Sequence, residues 1–155
     1  MVESTYGTSF EAIGTESLDL VVKLDRATNK RMRLDFFTKR FEAQQKHPEA
    51  FISMAASRAG EMIGIVCCHL LQGEFGSDDR VAVLDALAVK PESQGHGIGH
   101  ELIQHLITKV RESGGKELRT QAGWNQPEVL HFFASTGFKL APSMILERST
   151  QDVDF

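Results

Sequence analysis

The segment between residues 89 and 100 is the part of the chain whose residue types are best suited to chemistry. Glycine occupies alternate positions, at Gly95, Gly97 and Gly99, and an apolar pattern typical of a helix begins directly afterwards. Glycine has no Cβ, so a ligand can approach the backbone closely. The start of a helix offers free N–H groups and a partial positive charge. The segment is therefore predicted to bind an anion, and phosphate or pyrophosphate suits it best.

Two common phosphate-binding motifs do not match this segment. The string of a glycine, four residues and Gly-Lys-Ser/Thr is not present in the sequence. Neither Gly95 nor Gly97 has a glycine five positions later, so the dinucleotide-binding fingerprint fails as well. The spacing that does fit is Gln-x-x-Gly-x-Gly, formed by Gln94, Gly97 and Gly99.

The elements that must position this loop follow the order β-α-α-β-β-β-α-β-α-β-(β). Apolar periodicity predicts helices over residues 15–27 and 30–46, one that runs from the loop to Gly114, and one capped by Asn125 that ends at Gly137. Strands are predicted over residues 8–13, 51–57, 62–71, 81–89 and 116–122, with further candidates at 138–140 and 144–147. This mixture predicts a three-layer α/β (α+β) domain with a mixed sheet covered by helices.

Composition narrows the class of protein. The chain has 155 residues, of which 41% are apolar and 25% charged, with a net charge of −4. These values predict one globular domain over residues 1–155, with loose ends at 1–7 and 149–155, and they disfavour a basic nucleic-acid module. No apolar run is long enough to cross a bilayer. The two cysteines, Cys67 and Cys68, are adjacent, which favours a reducing, cytoplasmic setting.

Two separate segments resemble a known family. The first is Leu87-Ala88-Val89-Lys90-Pro91 followed by Gln94-Gly95-His96-Gly97-Ile98-Gly99, and the second is Asn125 followed by residues 132–138, Phe-Phe-Ala-Ser-Thr-Gly-Phe. Together they resemble the GNAT superfamily of acetyl-CoA-dependent N-acyltransferases. The resemblance implies a mixed, mostly antiparallel central sheet with splayed strands and helices on both faces. It also implies transfer of an acetyl group from acetyl-CoA to a primary amine by direct attack.

The resemblance also implies which residues hold coenzyme A. In the family the glycine-containing loop binds the pyrophosphate through backbone N–H groups, which here belong to Gln94, Gly95, His96, Gly97, Ile98, Gly99 and His100. The preceding strand binds the pantetheine arm, here through Leu87, Ala88 and Val89. Asn125 is expected to contact the pantetheine or to cap its helix, and Phe132 belongs to the aromatic pair of that helix.

One position departs from the family pattern. Many members carry a tyrosine in the aromatic pair, whose hydroxyl protonates the departing thiolate, but here the pair is Phe132-Phe133 and the only tyrosine is Tyr6. Two alternatives therefore stay open beside the enzyme. They are a non-catalytic module that binds coenzyme A and an interaction domain on a degenerate scaffold of this fold.

The group that deprotonates the amine is assigned to Asp85, which interrupts the apolar run of residues 81–89. A carboxylate in a buried strand is unfavourable unless it is paired or functional. Asp85 is therefore either the base or a structural residue that bonds the local backbone or pairs with a nearby arginine. His69 ranks lower, as a core residue, and the histidine spacing predicts no metal site. The acceptor amine is unidentified, and a homodimer through the C-terminal strands stays open.

Overall fold

The computed structural model describes residues 2–3 and 7–151. The strands are β1 (Val2–Glu3), β2 (Thr8–Ala12), β3 (Phe51–Arg58), β4 (Glu61–Gln72), β5 (Arg80–Val89) and β6 (Gly115–Arg119). The helices are α1 (Leu18–Asn29), α2 (Leu34–Lys46), α3 (Ile98–Glu112) and α4 (Pro127–Ser135), with short 3-10 turns at Thr15–Ser17, Pro48–Ala50, Glu74–Gly76 and Pro91–Ser93.

The strands form one sheet in the order in which they follow along the chain, from β1 to β6. Every neighbouring pair from β1 to β5 is antiparallel, whereas β5 and β6 are parallel. A parallel pair needs a crossover connection. Here α3 provides it. The prediction of a mixed, mostly antiparallel sheet is confirmed.

Helices cover both faces of this sheet. Ile65 of β4 belongs to an apolar cluster with Val21 of α1 and Phe37 of α2. At the neighbouring position, an added Cβ on Gly64 would lie 2.9 Å from Leu102 Cδ1 of α3. Successive strand residues point to opposite faces, so α1 and α2 lie on one face and α3 on the other. The prediction of helices on both faces is therefore confirmed.

The contacts divide the chain into two compact units, Met1–Gln121 and Ala122–Phe155. The first contains the whole sheet and α1 to α3, and the second contains α4. The expectation of a single domain stays a prediction. β1 lies inside the predicted loose segment 1–7. No helix among the described residues is long and apolar enough to span a membrane.

Several predicted boundaries are wrong for identifiable reasons. The backbone of Lys30 is left-handed and ends α1, so α2 begins at Leu34 rather than at Lys30. Gln126, not Asn125, is the N-cap of α4, and no side chain caps that helix. The candidate strands 138–140 and 144–147 contain neither helix nor strand. Leu140 and Met144 are more than four-fifths exposed, so no burial stabilises strands there.

Candidate functional site

One edge of β5 is open over much of its length. Parallel pairing with β6 ends where Val83 lies opposite Arg119, but β5 continues to Val89. No described strand pairs with this side of β5 from Leu84 onward. The open edge, defined here as residues 84–89, is about 17 Å long at the rise of an extended strand. The expected splaying of the strands is therefore visible within the first unit.

The backbone groups that face the open edge follow from the pairing with β4. The Lys90 N–H donates to the Ile63 carbonyl at 2.8 Å, which makes these residues a hydrogen-bonded pair. Such pairs alternate along antiparallel strands. Ala88 therefore turns its backbone groups toward β4, whereas Leu87 and Val89 turn theirs toward the open edge. Of the three residues predicted to bind pantetheine, Leu87 and Val89 are the two oriented for it.

The Val89 carbonyl already has two donors. It accepts a hydrogen bond from Gln94 Nε2 at 3.0 Å, and it lies 3.2 Å from Thr28 Oγ1, whose single hydroxyl hydrogen is shared with the Leu24 carbonyl at the same distance. A carbonyl oxygen has two lone pairs, so the group that remains for a ligand at Val89 is its N–H. The amide side chain of Gln94 thus holds the loop against the end of β5.

The glycine loop, defined here as residues 94–99, presents backbone donors. Gly95 and Gly97 have φ values of +79° and +85°, a region that favours glycine. No described residue accepts a hydrogen bond from the N–H groups of Gly95, His96 or Gly97. The first backbone bond of α3 runs from Glu101 N–H to the Gly97 carbonyl at 3.0 Å, so the N–H groups of Ile98 and Gly99 lie ahead of the first bond within the helix. By contrast, the Gln94 N–H donates to the Pro91 carbonyl at 3.3 Å.

The start of α3 is held in place by burial. Ile98 and Leu102 are almost completely buried, and Gly64 of β4 provides the space that they occupy. An added Cβ on Gly64 would lie 3.3 Å from Ile98 Cγ2. The missing side chain therefore lets the first turn of α3 approach the sheet. Donors fixed in this way suit a pyrophosphate, because they need no rearrangement to point at it.

Three polar side chains meet beside the open edge, and we call them the polar cluster: Arg40 of α2, His69 of β4 and Asp85 of β5. Arg40 Nη1 lies 2.9 Å from Asp85 Oδ2. His69 Nδ1 lies 3.0 Å from Asp85 Oδ1 and 2.8 Å from Oδ2. The side chains of Arg40, His69 and Asp85 are 14%, 25% and 12% exposed. The predicted pairing of Asp85 with an arginine is thus present.

A bulge in β5 places Asp85 in the polar cluster. Cys67 lies opposite Ala86 and Cys68 lies opposite Leu84, so Asp85 is an extra residue in the ladder. Bulges re-aim side chains and are frequent next to active sites. As a candidate base, His69 ranks below Asp85 from the sequence alone, and no sequence pattern identifies Arg40. Only the strand register and the packing of α2 reveal that the three residues meet.

Arg40 is also packed against aromatic rings. Its guanidinium carbon lies 5.4 Å from the centroid of Phe36 and 5.1 Å from that of Phe51. A guanidinium over an aromatic face is attracted by the ring quadrupole. The cation is therefore held by two rings as well as by Asp85, and its position helps to fix the carboxylate of Asp85.

A second ion pair holds the turn between α1 and α2. Asp25 is completely buried and accepts hydrogen bonds from Arg33 Nε at 2.9 Å, Arg33 Nη2 at 2.5 Å and Asn29 Nδ2 at 2.6 Å. The hydrogen bonds to Asp25 raise the pKa of Arg33. The same turn borders an open depression of about 570 Å³ lined by residues 32–36. Arg33 thus leaves the basic run 30–33 and points inward.

The adjacent cysteines are structural. Cys67 and Cys68 are free thiols with no solvent exposure. Burial raises the pKa of Cys67 to about 11 and that of Cys68 to about 12. The thiolate is the reactive form of cysteine, so neither residue is a nucleophile near neutral pH. Among residues 2–3 and 7–151, no group of histidines, cysteines and carboxylates could hold a metal ion.

The remaining predicted site residues lie in the second unit. Asn125 is exposed, whereas Phe133 is 9% exposed. The ring of Phe133 packs edge-on against Phe132 and Phe138, at centroid distances of 5.3 and 5.0 Å. Phe133 is therefore a packing residue of its own unit. Tyr6 lies outside the described residues.

Comparison with known proteins shows which family the chain matches. A model of the family described as "Acetyltransferase (GNAT) family" matches residues 18–138. No curated protein sequence matches the chain.

Solved structures with the same fold include several acetyltransferases. The aminoglycoside N-acetyltransferase AAC(6')-Iy, in complex with CoA, has a TM-score of 0.79 and 15% identity, with 97% of this chain and 99% of that chain covered. The aminoglycoside acetyltransferase meta-AAC0020 from an uncultured soil metagenomic sample, in complex with sisomicin, has a TM-score of 0.69 and 23% identity, with coverage of 93% and 96%. A transcriptional regulator from Bacillus halodurans C-125 has a TM-score of 0.77 and 18% identity, with coverage of 92% and 99%.

Proposed function

The chain belongs to the GNAT acetyltransferase family, and on that premise we propose that it is an N-acetyltransferase that moves an acetyl group from acetyl-CoA to a primary amine. The observation that carries the proposal is the open edge of β5, which connects the glycine loop at one end to the polar cluster at the other. A cosubstrate with a phosphorylated end and a reactive end needs this arrangement.

The residues present suit coenzyme A. The N–H groups of Gly95, His96 and Gly97, together with the start of α3, would hold the pyrophosphate through hydrogen bonds and the helix dipole. The backbone of Leu87 and the N–H of Val89 would pair with the amide groups of the pantetheine arm, as a strand pairs with a sheet edge. Ile98, Gly99, His100, Asn125 and Phe132 stay predicted contacts.

The reaction is direct attack. The amine nitrogen forms a bond to the thioester carbonyl carbon as the carbon–sulfur bond breaks, and the sulfur leaves as a thiolate. Holding both reactants at the open edge converts a bimolecular step into an effectively unimolecular one. The thiolate is a good leaving group, since thiols have pKa values near 8.5. Solvent can therefore protonate it in the absence of a tyrosine at Phe133.

The acceptor is a primary amine that enters from the side of α1 and α2. Aminoglycosides belong in the first screen because a protein of the same fold is an aminoglycoside acetyltransferase in complex with sisomicin. Spermidine, glucosamine and a lysine-containing peptide cover the other acceptor classes. The free buried thiols of Cys67 and Cys68 favour a reducing compartment, and we place the reaction in the cytoplasm.

Two measurements on the purified protein test the proposal. Calorimetry with acetyl-CoA measures binding, and release of free thiol in the presence of each amine measures transfer. Binding together with transfer to at least one amine is the expected result. Binding without transfer to any of these amines would support the alternative of a non-catalytic coenzyme A module. A folded protein that binds no acetyl-CoA would overturn the proposal.

A further inference from the structure

We propose that His69 is the catalytic base of this acetyl transfer and that Asp85 and Arg40 are positioning residues. The inference rests on the proposed function and changes the role that the sequence assigns to Asp85. It follows from the hydrogen bonds within the polar cluster, in which the imidazole is the one group with an uncommitted ring nitrogen.

Asp85 is already engaged on both carboxylate oxygens. Oδ2 receives Arg40 at 2.9 Å, and both oxygens lie within 3.0 Å of His69 Nδ1. A substrate amine that approached Asp85 would have to share the carboxylate with both of these partners. Asp85 is also only 12% exposed, whereas His69 is 25% exposed. The imidazole is therefore the more accessible member of the pair.

The bond to Asp85 determines which nitrogen of His69 is basic. An ionised carboxylate can only accept hydrogen bonds, so Nδ1 must carry the hydrogen that lies between the two groups. In the neutral ring, the lone pair is then on Nε2, on the far side of the ring from Asp85. An imidazole oriented by a carboxylate through Nδ1 is the arrangement by which His accepts protons in many hydrolases.

The ion pairs and the strand pairing identify the groups next to His69 in the described part of the chain. Asp85 of β5 binds His69 directly and Arg40 of α2 binds Asp85, while Cys68 precedes His69 on β4. Its partners across the strands are Phe51 and Val83, which are apolar. Val83 is also the residue at which the pairing with β6 ends. His69 therefore lies at the level where the open edge begins.

The proton balance of the reaction is complete. His69 Nε2 takes one proton from the substrate ammonium group and yields the neutral amine. This amine forms the new carbon–nitrogen bond as the carbon–sulfur bond breaks. The second amine proton passes through solvent to the thiolate sulfur, and His69 returns its proton to solvent.

The variant His69→Asn tests the base role with little disturbance of Asp85. The Asn amide can place an N–H group near the position of Nδ1, but it has no lone pair that corresponds to Nε2. We expect kcat to fall at least about 100-fold, the usual contribution of a positioned base, with the KM for acetyl-CoA changed less than about threefold. The decline of kcat/KM toward acid pH should also disappear. His47→Asn, at an exposed histidine beyond α2, is the matched control and should keep the wild-type rate.

A spectroscopic measurement tests the geometry without an acceptor. Long-range ¹H–¹⁵N spectra of the wild-type protein, recorded at a pH where the imidazole is in its neutral form, should show the hydrogen of His69 on Nδ1. A neutral ring that carries its hydrogen on Nε2 would overturn the assignment. If His69→Asn has lost its fold by circular dichroism, His69→Gln and this spectrum decide the question.

The outcomes separate the two proposals. A wild type that acetylates one of the four amines, matched in rate by a folded His69→Asn, would overturn the role of His69 and leave the proposed function intact. A wild type that transfers to none of them would overturn both. Asp85→Asn should reduce kcat by about tenfold and shift the tautomer of His69, because it acts through that ring.

Discussion

The glycine loop and the polar cluster lie at opposite ends of the open edge of β5, and they are built in different ways. The loop is one continuous segment whose working groups are backbone N–H donors, held by local bonds such as that from Gln94 Nε2 to the Val89 carbonyl. The polar cluster consists of three side chains from α2, β4 and β5. One edge of the sheet therefore combines a locally determined segment with a cluster that only the tertiary fold assembles.

The largest expected effect follows from removal of the carboxylate at the centre of the polar cluster. Asp85→Ala leaves the largely buried guanidinium of Arg40 without its counter-ion, and breaking a buried pair in this way costs about 3–5 kcal/mol. Since Arg40 is not completely buried, we expect a loss near 3 kcal/mol in the free energy of unfolding, measured by urea denaturation with an unchanged m value.

The control for this prediction is an ion pair on the surface. Glu112 lies 3.2 Å from Lys109, and both side chains are more than half exposed. Glu112→Ala should change stability by no more than about 1 kcal/mol. Equal losses of unfolding free energy in the two variants would show that the polar cluster contributes no more to stability than an exposed ion pair.

The difference between the regions also explains what the sequence predicts. The order of the elements from β2 to α4 and the glycine loop could be predicted, because apolar periodicity and glycine spacing are local patterns. The meeting of Asp85 with His69 and Arg40 could not. It depends on the bulge at Asp85 in β5, which lies opposite the step from Cys67 to Cys68 in β4. No local sequence pattern specifies that register.

A further error has the same origin. The apolar residues near Met144 and Leu146 resemble a strand, but they are exposed and irregular in the structure. Arg33, at the end of the basic run 30–33, turns inward to the buried Asp25. In both places, tertiary contacts decide which of several locally acceptable conformations the chain adopts.

The second prediction tests whether the glycine loop binds its ligand independently of how α3 packs on the sheet. Gly64→Val places methyl groups where Leu102 and Ile98 pack on β4. Overpacking of this kind costs about 1–3 kcal/mol. We expect a loss near 2 kcal/mol in unfolding free energy and a weaker affinity for acetyl-CoA, because the first turn of α3 must move outward.

Gly64→Ala is the graded control for this variant, since a single Cβ meets mainly the flexible end of Leu102. It should show smaller losses in both denaturation and calorimetry. Should Gly64→Val bind acetyl-CoA as tightly as the wild type, the position of α3 on the sheet would not matter for the donors of the loop.

The third prediction separates backbone conformation from ligand binding. Gly97 and Gly60 both have positive φ, and an added Cβ would meet nothing within 4 Å at either position. Alanine in the left-handed region costs about 1–2 kcal/mol. Both Gly97→Ala and Gly60→Ala should therefore lower the melting temperature to a similar extent.

Only Gly97→Ala should weaken acetyl-CoA binding, by about tenfold, because relaxation of its φ redirects the N–H groups at the start of α3. Gly60 lies in the turn between β3 and β4 and is not part of the glycine loop. Similar losses of affinity in the two variants would mean that binding follows overall stability rather than the geometry of the loop.

The smallest effect concerns the hydrogen bond that connects the loop to the open edge. Gln94→Met keeps the length of the side chain but removes the donor to the Val89 carbonyl, and one exposed hydrogen bond contributes about 0.5–1 kcal/mol. We expect a two- to fivefold loss of acetyl-CoA affinity by calorimetry. Thr28→Val removes the other donor to that carbonyl from α1, and it should reduce stability more than affinity. A larger loss of acetyl-CoA affinity in Thr28→Val than in Gln94→Met would show the reverse. The contact from α1, and not the side chain of the loop, would then position the end of β5 for ligand binding.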